Sequence, residues 1–227
     1  MSIRTLRGIA CTFALVSCCI LVGCAPREVV KLHYLSGFVP GTRAIFLPAN
    51  IAVAPVSGDL ASGTHAVGGV YQPSGHLEKV LQVSDAGAVV QHALMTSLAD
   101  AGLKPIAIES GIDSKDLKTG VDLMLTCELR QITFEQNFGA QQTIHGQYFT
   151  MVSRVILKYQ LQRRDGSIAY DSEVTGVEDE PPKPVGGEVF FPLETDPAES
   201  LSVALSRAIG NLLADPKFRQ AFPPRAP

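Results

Sequence analysis

No lysine- or arginine-rich run occurs anywhere in the chain, and the formal charge is −3 at pH 7. The basic patch that would neutralise nucleic-acid phosphates is therefore missing, and a nucleic-acid partner is not expected. The long apolar run at the start, Gly8 to Val22, is about 15 residues, shorter than the roughly 20 that a membrane-spanning helix needs. Five histidines, His33, His65, His76, His92 and His145, stand far apart, and none pairs with another at a spacing that metal sites use. Gly-x-Ser-x-Gly elbows, phosphate-binding glycine loops and His-Glu-x-x-His helices are all lacking, so an enzyme is not expected. The carboxylates of 178–188 match no calcium loop, because ligands at alternate positions around a central glycine are missing. Heptads long enough for a coiled coil and repeats of solenoid length are missing too.

Cysteine is scarce and unevenly placed. Of five, Cys18, Cys19 and Cys24 crowd into seven residues beside Cys11, and the rest of the chain holds only Cys127. The opening "MSIRTLRGIACTFALVSCCILVG" has two arginines and then an uncharged apolar run, the pattern of a signal peptide over 1–23. The run ends in Leu21-Val22-Gly23-Cys24, which resembles the lipobox of bacterial lipoproteins. The resemblance implies cleavage before Cys24, a diacylglycerol on its sulfur and an acyl chain on its new amino group, with no other cofactor. Leu15-Val16-Ser17-Cys18 fits the same pattern, but cutting there leaves an apolar start on the mature chain, so Cys24 is the preferred site. Loss of Arg4 and Arg7 takes the charge from −3 to about −5. Three acyl chains exceed the two signals that stable anchoring takes. By the enteric-type sorting rule, Ala25 rather than Asp after the cysteine directs the protein to the outer membrane. One remaining thiol allows no internal disulfide, so the domain must be held by its core.

Behind the anchor, 24–43 reads as the lipidated N-terminus and a tether, with a coil reach of roughly 25 Å. "VVKLHYL" within it reads alternatively as a short strand on a sheet edge. A single periplasmic domain then occupies 44–227. "ANIAVAPV" reads as its first core strand, and 57–75, with five glycines, as a mobile loop. Ser84 to Gly102 has the clearest helical period: Val90, Leu94, Leu98 and Ala101 share a face, Ser84 or Asp85 offers a cap, and Gly102 a stop. "KPIAIE" reads as a short strand and "SGIDSKDLKTG" as a polar loop.

Val121, Leu123, Leu125, Cys127 and Leu129 alternate with polar neighbours, after which Ile132 and Phe134 continue on the other parity. That change requires a bulge, placed at Arg130–Gln131, and it points Cys127 into the core. Phe149 to Val174 has the same alternation on both sides of Asp165-Gly166, a long hairpin whose wet face carries Arg154 and Lys158. The stretch 178–188 reads as a solvated loop. Asp196-Pro197 opens a helix with Leu201, Ala204, Leu205, Ala208, Ile209 and Leu212 on one stripe, and Asp215-Pro216 opens a short last one. The expected fold is α+β, an antiparallel or mixed sheet of about four to five strands with two amphipathic helices on one face.

In this order of elements the chain resembles the YajG-like family of outer-membrane lipoproteins, through "ADAGLKP", "VDLMLTCELRQI", "YDSEVTG" and "ESLSVALSRAIGNLLADPKFRQAF". It also resembles the auxiliary lipoproteins of ABC-type lipid transport systems, through the lipobox and "IAVAPV". The expected function is that of a membrane-anchored, non-enzymatic accessory or binding module of the cell envelope with an envelope protein partner. Two alternatives stand beside it: a lipid-transport auxiliary subunit, which calls for an apolar groove between helices and sheet, and a periplasmic hydrolase, which calls for a cleft with a perturbed histidine or carboxylate. Arg154, Lys158, His65 and Tyr71 form the candidate partner surface.

Overall fold

The structure, a computed structural model, describes residues 25–35, 46–72, 74–117, 119–121, 123–138, 147–185 and 196–222. Leu21, Val22, Gly23 and Cys24 lie outside them. In chain order the elements are β1 (Arg27–Val30), β2 (Asn50–Val53), β3 (Thr64–Tyr71), β4 (Leu77–Ser84), α1 (Ala86–Asp100), β5 (Lys104–Ala107), a 3-10 turn (Ser114–Asp116), β6 (Leu123–Phe138), β7 (Gln147–Arg163), β8 (Ile168–Val185), α2 (Pro197–Ala214) and α3 (Pro216–Gln220). Among the described residues no helix is long and apolar enough to cross a membrane.

β6 is the spine of a mixed sheet. One of its edges pairs antiparallel with β7, which pairs with β8 across the Asp165-Gly166 turn, as the alternation requires. The other edge takes β2 in parallel at Leu123–Leu125, bridges Ser57 at Glu128, and meets β3 at Phe134. β5 extends the sheet beyond β2, and β4 then β1 extend it beyond β3. The β6–β7 register shifts between Leu129 and Gln131, where the parity change places a bulge.

The sheet has eight strands, not four to five. The three further strands are β3, β4 and β1, and β8 is also longer than expected. Much of 57–75 is strand β3 rather than loop, because its glycines are packing devices: a Cβ on Gly69 would meet Leu77 Cδ1 at 2.6 Å, and one on Gly68 would strike the Phe134 carbonyl. β4 is a strand without a strand signal, since its polar and apolar residues do not alternate cleanly. β8 runs through 178–185, expected as a loop, because an outermost strand needs ladder bonds on one side only and so tolerates proline.

The segment expected as a tether is also built into the fold, closer to its alternative reading as an edge strand, although the strand is Arg27–Val30 rather than 29–35. β1 pairs parallel with Val80–Val83, Leu32 is buried, and the extended chain then crosses α2. There the His33 and Leu35 amides donate to Ser202 Oγ (3.0 Å) and Ser206 Oγ (3.1 Å). Both hydroxyls donate in turn to carbonyls one turn back, Ala198 O and Ser202 O. Two serines four apart thus receive alternate amides of an extended chain, as a neighbouring strand would. Tyr34 lies beside Ser97 and Asp100 of α1, and burial pushes its hydroxyl pKa up.

α1 and α2 pack on one face of the sheet, as expected, and α3 adds Phe218. Val90, Leu94 and Leu98 of α1 and Leu201, Leu205 and Ile209 of α2 join Leu125, Cys127, Val155, Leu157 and Tyr159 in one buried cluster. Asp196 caps α2 by accepting from Ala198 N and Glu199 N, and Asp215 caps α3 while accepting from Tyr170 Oη at 2.8 Å. The cap expected for α1 is different. Asp85 adopts a left-handed backbone (φ 49°) without a side-chain cap bond, and its carboxylate accepts instead from Gly63 N, tying α1 to the entry of β3. The helix's Gly87 amide donates to Ala61 O at 2.8 Å, so neighbouring backbone serves its first turn.

Cys127 is buried as its parity requires, and burial pushes its pKa up to about 12 against the opposing hydrogen bond of Tyr159. A neutral, enclosed thiol is a poor nucleophile. In the domain from Ala25 onward, where Cys127 is the one cysteine, Ellman's reagent at pH 8 should find no thiol until denaturant is added, and then one; immediate reaction of the folded protein would contradict this burial. Because the folded pKa of this thiol is raised, and that of Tyr170 likewise to about 12, the stability they contribute is complete at neutral pH. It should fall as pH climbs from about 9 to about 12, read as a declining unfolding midpoint.

Candidate binding pocket

Where the helices cover one face of the sheet, the opposite face is polar along most of β7. Arg154 is exposed there and Lys158 half-buried, and Lys158 Nζ lies 3.8 Å from the Asp171 carboxylate of β8. At the β2–β5 corner this polar face gives way to an apolar one. The chain from Ile108 to Val121 folds back over the sheet, and Leu117, Val121, Ala52 and Met124 form a second buried cluster with Ile108 against it. This return is fixed at two points. Asp113 Oδ1 accepts from Lys115 N and Ser114 Oγ at 3.2 Å each, bonds that lower its carboxyl pKa, and Asn50 Nδ2 donates to Gly120 O at 2.8 Å.

The fold-back does not close against β5. It leaves a cavity of about 470 Å³ floored by Ala52, Leu117 and Val121, with Ile106 and Ile112 at its mouth and Glu109, Asp116 and Asn50 among its polar lining. Ile106 is 42% exposed and Ile112 37%, unusual for isoleucines in a region that otherwise buries its large apolar groups. The volume falls in the range of small-molecule and side-chain pockets. An apolar lining with a few polar groups holds an apolar chain or side chain and orients it. His, Ser and Cys are not among the lining residues. Among the described residues no group of three or more His, Cys, Asp or Glu is arranged to hold a metal ion.

The four residues expected as one partner surface are not gathered into one. Arg154 and Lys158 share the outer face of β7. His65 and Tyr71 stand at opposite ends of β3, roughly 20 Å apart along the strand. His65 Nε2 donates to Ser62 O at 2.7 Å, a local bond within the approach to β3, and Tyr71 N donates to Gln136 Oε1 at 2.9 Å. The pocket escapes a reading of the sequence because Ile108, Ile112, Leu117 and Val121 are dispersed in a segment with the composition of a polar loop. Their spacing, every four or five residues, is the signal that this loop covers something.

Architecture and pocket together define a strand-dominated α+β domain, a mixed sheet with a helical layer on one face and a small apolar pocket on the other. No protein-family model matches the chain, and no curated protein matches it. Solved structures similar to it include a DUF330 family protein from Xanthomonas campestris (13% identity, 83% of this chain and 90% of that one, TM-score 0.43). Another is a putative neuraminyllactose-binding hemagglutinin homolog from Helicobacter pylori (8% identity, 85% and 95%, TM-score 0.47). A third is the lipoprotein GNA1162 from Neisseria meningitidis (16% identity, 58% and 84%, TM-score 0.30).

Proposed function

We propose that this chain is a lipid-anchored, non-enzymatic binding module of the bacterial cell envelope. Acyl chains on Cys24 hold it in the outer membrane facing the periplasm, and the pocket beneath 108–121 takes an apolar group of an envelope protein partner. The observation that carries this reading is the apolar cavity with two exposed isoleucines at its mouth. Anchoring raises the local concentration of the module for a partner in the same compartment, so a modest pocket suffices.

The lipid-transport alternative draws on the same apolar lining, but its groove is not between helices and sheet, where Leu94, Leu98, Leu205 and Ile209 are fully buried. The pocket also lies roughly 35 Å along β6 from the sheet end where β1 starts. A pocket at that distance from the proposed anchor suits a periplasmic partner, which supports the module reading. The hydrolase alternative gains nothing from this lining.

Titration with a fluorescent fatty acid, used as an apolar probe, tests the pocket. Ile112→Glu places a charge at the mouth and should weaken binding roughly tenfold or more, while stability, this being a partly exposed site, shifts by no more than about 0.5 kcal/mol. Equal binding by wild type and variant would remove the pocket from the account.

A further inference from the structure

The chain between the anchor cysteine and the first strand is too short for the domain to stand off a bilayer. β1 begins at Arg27, three residues after Cys24, and three extended residues span at most about 10 Å. The strand is held from its first residue: Val80 N donates to Pro26 O at 2.9 Å, and Arg27–Val30 run parallel to Val80–Val83.

Traced back from Val80, in the direction of the anchor, β4 continues for three residues to Leu77, again about 10 Å. Beyond Leu77 lies the turn that returns to β3, closed by Gln72 N donating to His76 O and Gly75 N donating to Gln72 O. The end of this hairpin therefore lies at the level of Cys24 or past it. A bilayer that holds the acyl chains of Cys24 must meet the hairpin.

The residues waiting there suit that contact. Tyr71 and Leu77 are directly opposed across β3 and β4, and they are 38% and 40% exposed. Their side chains share the space above Gly69, where a Cβ would lie 2.6 Å from Leu77 Cδ1 and 3.4 Å from Tyr71 Cε2. The Tyr71 amide bond to Gln136 fixes this pair to the end of β6. A tyrosine next to a leucine presents an apolar body with a polar tip, the combination favoured at the level of lipid headgroups. Lys79, two residues on from Leu77 and so on the same face of β4, is bound to Glu28 of β1 at 2.6 Å.

We infer that the Tyr71–Leu77 pair is a membrane-contact site, seated in the headgroup layer of the same bilayer that holds Cys24. The inference rests on the anchoring reading of Cys24 and adds a fixed orientation to it. The β3–β4 hairpin faces the lipid, and the pocket and the Asp165-Gly166 turn face away.

The test uses the full-length acylated protein in phosphatidylethanolamine and phosphatidylglycerol vesicles containing a headgroup-nitroxide lipid. An environment-sensitive fluorophore is attached at Leu77→Cys, at Tyr71→Cys or at Ile168→Cys. Cys127 is buried and does not compete for label. Ile168 is 56% exposed and adjoins the turn at the other end of the sheet. Since interfacial contact buries a surface only about 5–10 Å deep, quenching at 77 and 71 should exceed that at 168 roughly threefold or more. Equal quenching at all three positions, in protein whose intact mass shows an acylated Cys24, overturns this inference and leaves the anchor standing. An intact mass without acyl chains overturns both.

Discussion

Replacing Gly176 with alanine should cost the domain at least about 3 kcal/mol, and with valine should leave little folded protein to collect. Gly176 lies in β8 opposite Val155, where α2 crosses the sheet in close contact. A Cβ there would run into the backbone of α2 at Ala204 O and Ala208 N. Backbone cannot rotate aside as a side chain can. The helix cannot withdraw either, because Leu201, Ala204, Leu205, Ala208 and Ile209 are buried along the same face and Arg207 and Asn211 donate to Val177 O and Thr175 O of β8. Lifting α2 to admit one methyl would open the whole interface, with the cavity cost that follows. Gly75→Ala is the comparison: no atom lies within 4 Å of its would-be Cβ, and only its positive φ of 81° opposes a side chain, a cost of about 1 kcal/mol. Urea unfolding followed by circular dichroism measures both, and a loss below about 1 kcal/mol for Gly176→Ala would show that α2 and β8 do not approach as closely as described.

Exchanging Cys24 for serine should release the domain completely from the membrane. The thioether forms only on a cysteine sulfur, so serine there prevents acylation. Each buried methylene of an acyl chain contributes about 0.8 kcal/mol, so the proposed chains should supply most of the free energy of membrane retention. The Tyr71–Leu77 pair is far too small to hold the protein alone. Cys18→Ser is the discriminating control, because it removes the rival acylation site and should leave the protein anchored. Cell fractionation with intact mass on each fraction reads the result, and unchanged membrane retention of Cys24→Ser would overturn the choice of this cysteine as anchor.

How much of the fold is legible in the sequence depends on whether a signal is local. The bulge at Arg130–Gln131, the inward Cys127, the Asp165-Gly166 turn and the Asp196 and Asp215 caps all follow from side-chain period or cap chemistry within a few residues, and the structure has each of them. β3 is hidden because its glycines serve contacts with β4 and β6, and its β6 partner is far away in sequence. The last residues of β8 are hidden because their prolines matter only if the strand is interior. The N-terminal segment reads as a tether, with an edge strand only as its alternative, because its bonds go to Ser202 and Ser206, 169 and 171 residues on. The pocket escapes for a related reason: Ile112 and Leu117 look like isolated apolar residues until the fold-back sets them over Ala52 and Met124. The candidate surface fails as a set because Arg154 and Lys158 share a face by parity, whereas His65 and Tyr71 share only a strand.

Native mass spectrometry of the full-length acylated protein, released gently in detergent and run beside Ile112→Glu, tests the binding reading most directly. Wild type should retain an envelope partner or an apolar ligand, and the variant should have lost it while keeping the same acyl mass on Cys24. The same occupant on both proteins, or an empty wild type, would contradict the binding reading.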